Sequence, residues 1–309
     1  MKSVSVVIPT LNRQASLRRA LASVAAQTGL DGLSLEIIVV DNSSDASARE
    51  TVAAFPQAGW PIRYVSEPVP GVATARNAGV AAAQGRWIAF LDDDEEARPD
   101  WIAHMSRIAQ ETGAQAVFGP VEARADGAAE IGGFAPYFSR AIERGDGEDI
   151  TELSAYLGTN NSMFDKAPCL SDAAPFEESL NEIGGEDSLL LERLVMKGVK
   201  FAWAARAGVV EWVPPRRLDW AYVCKRKFLS GQIRVFVQRM AEPGRNWRIA
   251  FWMVAGLVQF GLAGAIFLAA RPFAPQRARR ASAIAYGGLG KVLWTPRFRP
   301  ALYGSGLIS

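Results

Sequence analysis

Two short apolar runs near the start of the chain, residues 4–8 (Val-Ser-Val-Val-Ile) and 35–40 (Leu-Glu-Ile-Ile-Val-Val), constrain the fold more than any other feature. Both are short and rich in β-branched residues, and neither alternates cleanly, which predicts strands covered on both faces. Between them, residues 15–27 place Leu17, Ala20, Leu21 and Val24 on one helical face. A second helix is expected to about Phe55, then a strand at residues 62–65 and another buried strand at residues 85–90. Strands alternating with helices predict an α/β fold, a Rossmann-like α/β/α sandwich around a mostly parallel sheet. In such a sheet the ligand sits beyond the carboxyl ends of the strands, where Pro9, Asp41 and Asp92 fall.

The turn after the first run excludes several nucleotide-binding classes. A dinucleotide fold or a P-loop needs a glycine-rich turn there, so that backbone N–H groups can hold phosphate at a helix N-terminus. Here the turn reads Pro-Thr-Leu-Asn-Arg. The same absence speaks against sugar-nucleotide pyrophosphorylases, which also use a glycine-rich first loop.

Residues 92–96 are five consecutive acids, Asp-Asp-Asp-Glu-Glu, at the end of the run at 85–90. Carboxylates packed this closely repel one another unless positive charge sits between them, and an all-oxygen donor set suits Mg²⁺ or Mn²⁺. The plain alternative is a solvated acidic loop leading into the helix after Pro99.

These motifs carry a resemblance. Ser-Val-Val-Ile-Pro-Thr-Leu-Asn-Arg, Ile-Ile-Val-Val-Asp-Asn-Ser-Ser-Asp, the Pro-Gly-Val-Ala-Thr-Ala-Arg-Asn-Ala-Gly of residues 70–79 and Phe-Leu-Asp-Asp-Asp-Glu resemble the family 2 glycosyltransferases of GT-A fold. Thr-Asn-Asn-Ser-Met-Phe at 159–164, Gly-Gly-Glu-Asp at 184–187 and Arg193-Leu194 follow in the family's order, so the likeness spans about residues 3–231. Phe-Gly-Pro-Val at 118–121 and Val-Pro-Pro-x-Arg at 213–217 make it most similar to the succinoglycan-type exopolysaccharide enzymes.

The resemblance implies roles. Asp41 would accept from the uracil ring N–H, with Pro9, Thr10 and Asn12 lining the base; Arg76 would lie near the nucleotide, where a planar guanidinium suits phosphate oxygens. Asp92 would contact the ribose side and share the metal with Asp94, Asp93 standing in either shell. Asn161 would sit beside the donor sugar. Glu186 and Asp187, at the mouth of a helix expected over residues 188–197, would face the cleft, with Asp187 as the base that takes the acceptor's proton. Their bland readings are a turn residue for Asp41, a surface arginine for Arg76, a satisfied strand polar for Asn161 and a helix N-cap for Asp187. Many members carry a histidine after the strand that follows the base helix. Here Glu211 stands in that region, and the single histidine, His104, reads as an ordinary helix residue.

Residues 125–133 and 141–149 lack periodicity and read as long loops or a mobile helix over the site, a common seat of acceptor specificity. Cys169 and Cys224 are too few for a disulfide framework or a zinc site, which predicts a reducing compartment. No signal-peptide pattern precedes the first strand, so a cytosolic body is expected.

Charge divides the chain. Of 34 Lys/Arg and 32 Asp/Glu, 16 basic and three acidic residues lie from Glu211 onward, leaving 18 and 29 before it: about −11, then +13. An acidic catalytic part at residues 1–215 and a basic membrane-associating part at 216–309 are expected. Nucleic acid is disfavoured as a partner, because the tail's basic residues are interleaved with long apolar runs. Residues 218–240 read as a basic amphipathic helix and 249–270 as an apolar stretch long enough to span a bilayer. Arginines at both ends of that stretch, a glycine-interrupted stretch at 281–295 too short to return, and Trp294, Arg297 and Arg299 favour a hairpin or re-entrant element in the cytoplasmic leaflet over a span. The expected activity is inverting transfer of a hexosyl unit from a UDP-sugar to a glycan or lipid-linked glycan at the cytoplasmic face of the plasma membrane. A silent sugar-nucleotide-binding membrane protein or a nucleotidyltransferase are the other readings.

Overall fold

The computed structural model describes residues 3–56 and 59–298; Arg299, expected at the interface, and the start of the chain at Met1 and Lys2 lie outside them. The strands are β1 (Ser3–Thr10), β2 (Ser34–Asp41), β3 (Ile62–Ser66), β4 (Trp87–Phe90), β5 (Glu95–Ala97), β6 (Ala116–Phe118), β7 (Val121–Ala125), β8 (Ser162–Asp165), β9 (Phe201–Trp203) and β10 (Val209–Val213). The helices are α1 (Gln14–Ala25), α2 (Arg49–Ala53), α3 (Val72–Ala82), α4 (Trp101–Thr112), α5 (Ala135–Phe138), α6 (Lys166–Cys169), α7 (Glu186–Met196), α8 (Trp220–Ala241), α9 (Asn246–Ala270) and α10 (Pro275–Val292).

Seven strands form the main sheet in the order β3-β2-β1-β4-β8-β6-β9. Only β8 runs antiparallel to its neighbours there. The continuous apolar runs are explained by burial on both faces. Val6, Ile8, Ile37 and Val39 point into one core with Leu17, Leu21, Trp101 and Met105. Val7, Ile38 and Val40 point into the other with Phe90, Phe176, Leu190 and Leu194. Each such side chain contributes on the order of 1.5–3 kcal/mol by leaving water, so a charge at Val7 would open the sheet.

Register sets the functional edge. Thr10 pairs with Asp41 and Asp41 with Ser66, so three strands end in line. Phe90, at the end of β4, pairs with Val7, which delivers the acidic run to the same edge beside Thr10. A second sheet, β5-β10-β7, folds over that edge and sets Glu95 opposite Glu211 in an antiparallel pair.

After Arg217 the chain forms three long helices. Expectation and structure differ in α10, which begins at Pro275 and runs unbroken through Gly287, Gly288 and Gly290. Those glycines form a packing seam: a Cβ on Gly288 would lie 2.6 Å from the Gly256 carbonyl, and one on Gly231 would lie 2.2 Å from that of Gly287. Close backbone approach outweighs the helix propensity lost at each glycine. The opposite face of α9 is uncovered, with Phe251, Val254, Leu257, Val258, Leu262 and Leu268 exposed. At 25 residues, with an 18-residue stretch of mean hydropathy 2.0, α9 is the one helix among the described residues long and apolar enough to cross a membrane.

Candidate active site

The edge of the main sheet collects charge. Thr10 Oγ1, from the end of β1, donates to Asp93 Oδ2 at 2.7 Å. Arg13, just before α1, donates through Nη1 to Asp93 Oδ1 at 3.0 Å and to Asp94 Oδ2 at 2.9 Å. Arg217 approaches the same Asp94 oxygen at 3.7 Å from the start of the helical tail. From α3, buried Arg76 reaches Glu186 Oε1 at 2.6 Å and Asp92 Oδ1 at 3.4 Å, with its guanidinium 5.7 Å from the Phe176 ring centre. Glu95 accepts from Asn160 Nδ2 at 2.8 Å and from the Asp92 backbone N–H at 3.1 Å.

Seven carboxyls (Asp92, Asp93, Asp94, Glu95, Glu186, Asp187 and Glu211) face five guanidiniums (Arg13, Arg76, Arg140, Arg217 and Arg226). The imbalance is felt in their proton affinities. Burial, reinforced by Asp94, pushes Asp93 up to about 7 despite Arg13. Burial and Asp187 do the same to Glu186, and burial and Asp94 to Glu211, both to about 7. Burial, with Asp92 and Glu211 beside it, raises Glu95 well above the usual range. A site with this surplus holds either protons or a cation.

The donor chemistry fits a hard divalent ion, but no three His, Cys, Asp or Glu side chains converge into a ready cage among the described residues. Asp92 and Asp94 offer hard oxygens, and one or two carboxylates suffice where phosphate oxygens complete the shell, as is usual for Mg²⁺. Arg13 and Arg217 hold Asp94 meanwhile.

Asp187 lies in the first turn of α7, whose N-cap is Gly185, so it is not the cap. Its Oδ1 accepts from the Ser188 N–H at 2.6 Å. Oδ2 has no hydrogen-bond partner among the described residues and faces Gly158, where a Cβ would stand 3.2 Å away. Across that gap is Arg140, half-buried. Its five N–H groups go to the carbonyls of Gly119, Gly158, Asn160 and Asn161 and to Asn160 Oδ1. Burial lowers it to about 10, although Glu95 and Asp187 pull it upward.

Two expected contacts differ. Asn161 is wholly buried with φ +46°; its Oδ1 accepts from Trp101 Nε1 at 2.7 Å and its Nδ2 donates to Pro120 and Ala207 carbonyls. No group remains for a donor sugar, so it is a satisfied core polar, and its neighbour Asn160 is the one that faces the acids. Asp41 is also buried, and both its oxygens are taken, by Ser43 N–H and Oγ, Ala48 N–H and Tyr64 OH. Those four donors fill a carboxylate's capacity, so a base N–H would have to displace one of them. Pro9 is half-buried at this edge and Asn12 exposed in the turn with φ +55°. His104 is hydrogen-bonded to Asp146 at 2.9 Å, away from the acidic run.

Arg140 escaped the sequence reading, because a lone arginine beside an irregular stretch carries no period or motif. Arg13 and Arg217 stood inside quoted motifs, yet only the fold brings them to one carboxylate.

A parallel-sheet sandwich with an acidic run after its fourth strand and a free carboxylate across the cleft is the architecture of the GT-A sugar-transfer enzymes. The chain belongs to glycosyl transferase family 2, whose family model matches residues 5–165. It is 32% identical over 246 residues to the succinoglycan biosynthesis protein ExoM of Rhizobium meliloti, covering 77% of each chain. It is 26% identical to the glycosyltransferase AglE of Haloferax volcanii over 82% of this chain and 81% of that one. Among solved structures, residues 1–349 of Staphylococcus aureus TarS superpose with a TM-score of 0.56 at 16% identity, covering 94% of this chain and 90% of that one. TarS has also been solved with UDP and with UDP-GlcNAc. The protein is therefore a family 2 glycosyltransferase of GT-A-like fold.

Proposed function

We propose that the enzyme moves a hexosyl unit from a UDP-sugar to a hydroxyl of a membrane-held glycan, with inversion, in exopolysaccharide synthesis. The observation that carries this reading is the free Asp187 Oδ2, aimed across Gly158 into the charged edge. The acceptor oxygen attacks the anomeric carbon as the bond from that carbon to the diphosphate oxygen breaks, and Asp187 takes the hydroxyl proton. Inversion follows from a single displacement.

The other residues bind and orient. Pro9, Asn12 and the Asp41-braced loop form the uridine end. Thr10 and Arg13 hold Asp93 in place. Asp92 serves the ribose side, while Arg76 fixes both Asp92 and Glu186. Arg13 and Arg217, both on Asp94, are the cations nearest a diphosphate lying over the acids. Mn²⁺ or Mg²⁺ held by Asp94 and Asp92 would supply Lewis-acid neutralisation of the leaving diphosphate.

In this reading residues 1–215 do the chemistry and 216–309 hold the enzyme to the cytoplasmic face of the plasma membrane. Support comes from the uncovered apolar face of α9 and from Arg245, Arg248, Arg271, Arg277 and Arg280 at its ends and on the facing helix. Basic residues bordering an apolar helix suit an anionic leaflet. The test is a panel of nucleotide sugars scored by UDP release, with membrane lipid extract as acceptor. Release that needs both one UDP-sugar and the extract supports the reading; release of pyrophosphate instead would overturn it.

A further inference from the structure

Between the segment carrying Phe134 and the N-terminal ends of α8 and α10 lies an open cleft of about 380 Å³. One wall is aromatic. The Phe134 and Trp220 rings lie 5.0 Å apart at 39°, and Tyr137 meets Trp220 edge-on at 5.5 Å. The rim is polar: Asp219, Gln276 and Arg279 line it. One Asp219 oxygen caps α8 by accepting from the Tyr222 N–H, and the second has no hydrogen-bond partner among the described residues.

The chemistry of that lining selects a ligand class. An aromatic face with a few polar groups around it matches a pyranose, which presents C–H on its faces and hydroxyls on its edge. On the rim Asp219 and Arg279 offset one another, while Lys227 lies 5.5 Å from the Tyr137 ring behind it, so the selection for a sugar ring rests on the aromatic wall. The size lies at the lower end of ordinary ligand pockets of roughly 300–1,000 Å³.

Position ties the cleft to the catalytic edge. Arg217, next in the chain to the cleft's Leu218, touches Asp94 at 3.7 Å. Arg226 donates to the Tyr137 carbonyl at 2.9 Å and lies over the Phe138 ring, two residues before Arg140. The segment at residues 217–220 therefore joins the catalytic edge to the cleft.

We propose that this cleft is an acceptor subsite that holds a neutral sugar ring, stacked on Trp220, away from the hydroxyl that reacts. The proposal rests on the glycan-acceptor reading above. Its consequence is a length preference: a glycan reaching from Asp187 to Trp220 binds more tightly than a single sugar.

The full chain in detergent micelles, with and without UDP, is titrated calorimetrically with glucose and with cellotetraose, laminaritetraose, maltotetraose and chitotetraose. At least one tetrasaccharide should bind wild type more tightly than glucose does. Trp220→Ala should weaken that tetrasaccharide about tenfold, and Trp220→Phe should keep most of the affinity. Gln276→Ala, on the exposed rim where folding is not at stake, should weaken it about threefold. Tetrasaccharide binding unchanged in both Trp220→Ala and Gln276→Ala, no tetrasaccharide binding in wild type, or glycerol phosphate binding there in place of sugar would each overturn the proposal. Failure of UDP to bind counts against the donor reading, while the sugar titration without UDP still judges the cleft.

Discussion

Arg76 and Glu186, 110 residues apart in the chain, meet at 2.6 Å in the interior and lock α3 to the first turn of α7. Both side chains are almost wholly shielded from water. Removing one partner leaves an uncompensated buried charge, which costs on the order of 3–5 kcal/mol. Arg76→Ala should lower the urea midpoint accordingly, and Arg76→Met with Glu186→Gln should recover much of the loss. A double variant as unstable as the single one would show that the pair is not what Arg76 contributes.

The raised carboxyls predict how stability depends on pH. Glu186 stands at about 7 in the folded chain against an ordinary 4.5, and Asp93 and Glu211 are also near 7. A raised folded value means the folded chain binds the proton more tightly, so the stabilisation is full below the ordinary value and is lost as pH rises through about 7. The melting temperature without divalent ions should be higher at pH 5.5 than at pH 8. Added MnCl₂ should raise it more at pH 8, where the surplus charge is present. A flat profile, or equal gains at both pH values, contradicts the charge account.

Gly158 keeps space open in front of Asp187. A Cβ there would lie 3.2 Å from Asp187 Oδ2 and 2.9 Å from Asn160 Oδ1, so both side chains would have to shift. Gly158→Ala should lower kcat by up to about tenfold, less than the roughly 10²-fold that a 1 Å misplacement costs, while UDP affinity holds. Unchanged kcat would mean the carboxylate does not need that position.

The apolar face of α9 predicts where the protein partitions. Leu257→Lys with Val258→Asp, both at exposed positions, should cut co-sedimentation with phosphatidylglycerol vesicles and leave the catalytic body folded. A reporter after Ser309 separates hairpin from span: cytosolic fluorescence agrees with the hairpin, and periplasmic alkaline phosphatase activity would refute it.

What could be read from the chain was local. The runs at residues 4–8 and 35–40 are buried on both faces, so their composition alone announces the sheet, and the acids at 92–96 adjoin in sequence and stay adjacent in space. What escaped depends on distant registers. Glu211 meets the acids because β10 pairs antiparallel with β5, and Arg140 reaches Asp187 from a stretch without period. Asn160 and Asn161 look alike in sequence; the left-handed backbone at Asn161 turns that side chain inward, beneath Trp101. The glycines of α10 read as breakers because their partners, Gly231 and Gly256, lie on other helices.

The central claim is that Asp187 takes the acceptor proton, and Asp187→Asn tests it most directly. The change is nearly isosteric, and Oδ1 still accepts from the Ser188 N–H, so the α7 turn is retained. UDP affinity should therefore match wild type, while the rate of sugar transfer at saturating donor falls by about 10²–10⁴. Transfer at the wild-type rate in Asp187→Asn would contradict the account and make another acid of the edge the base.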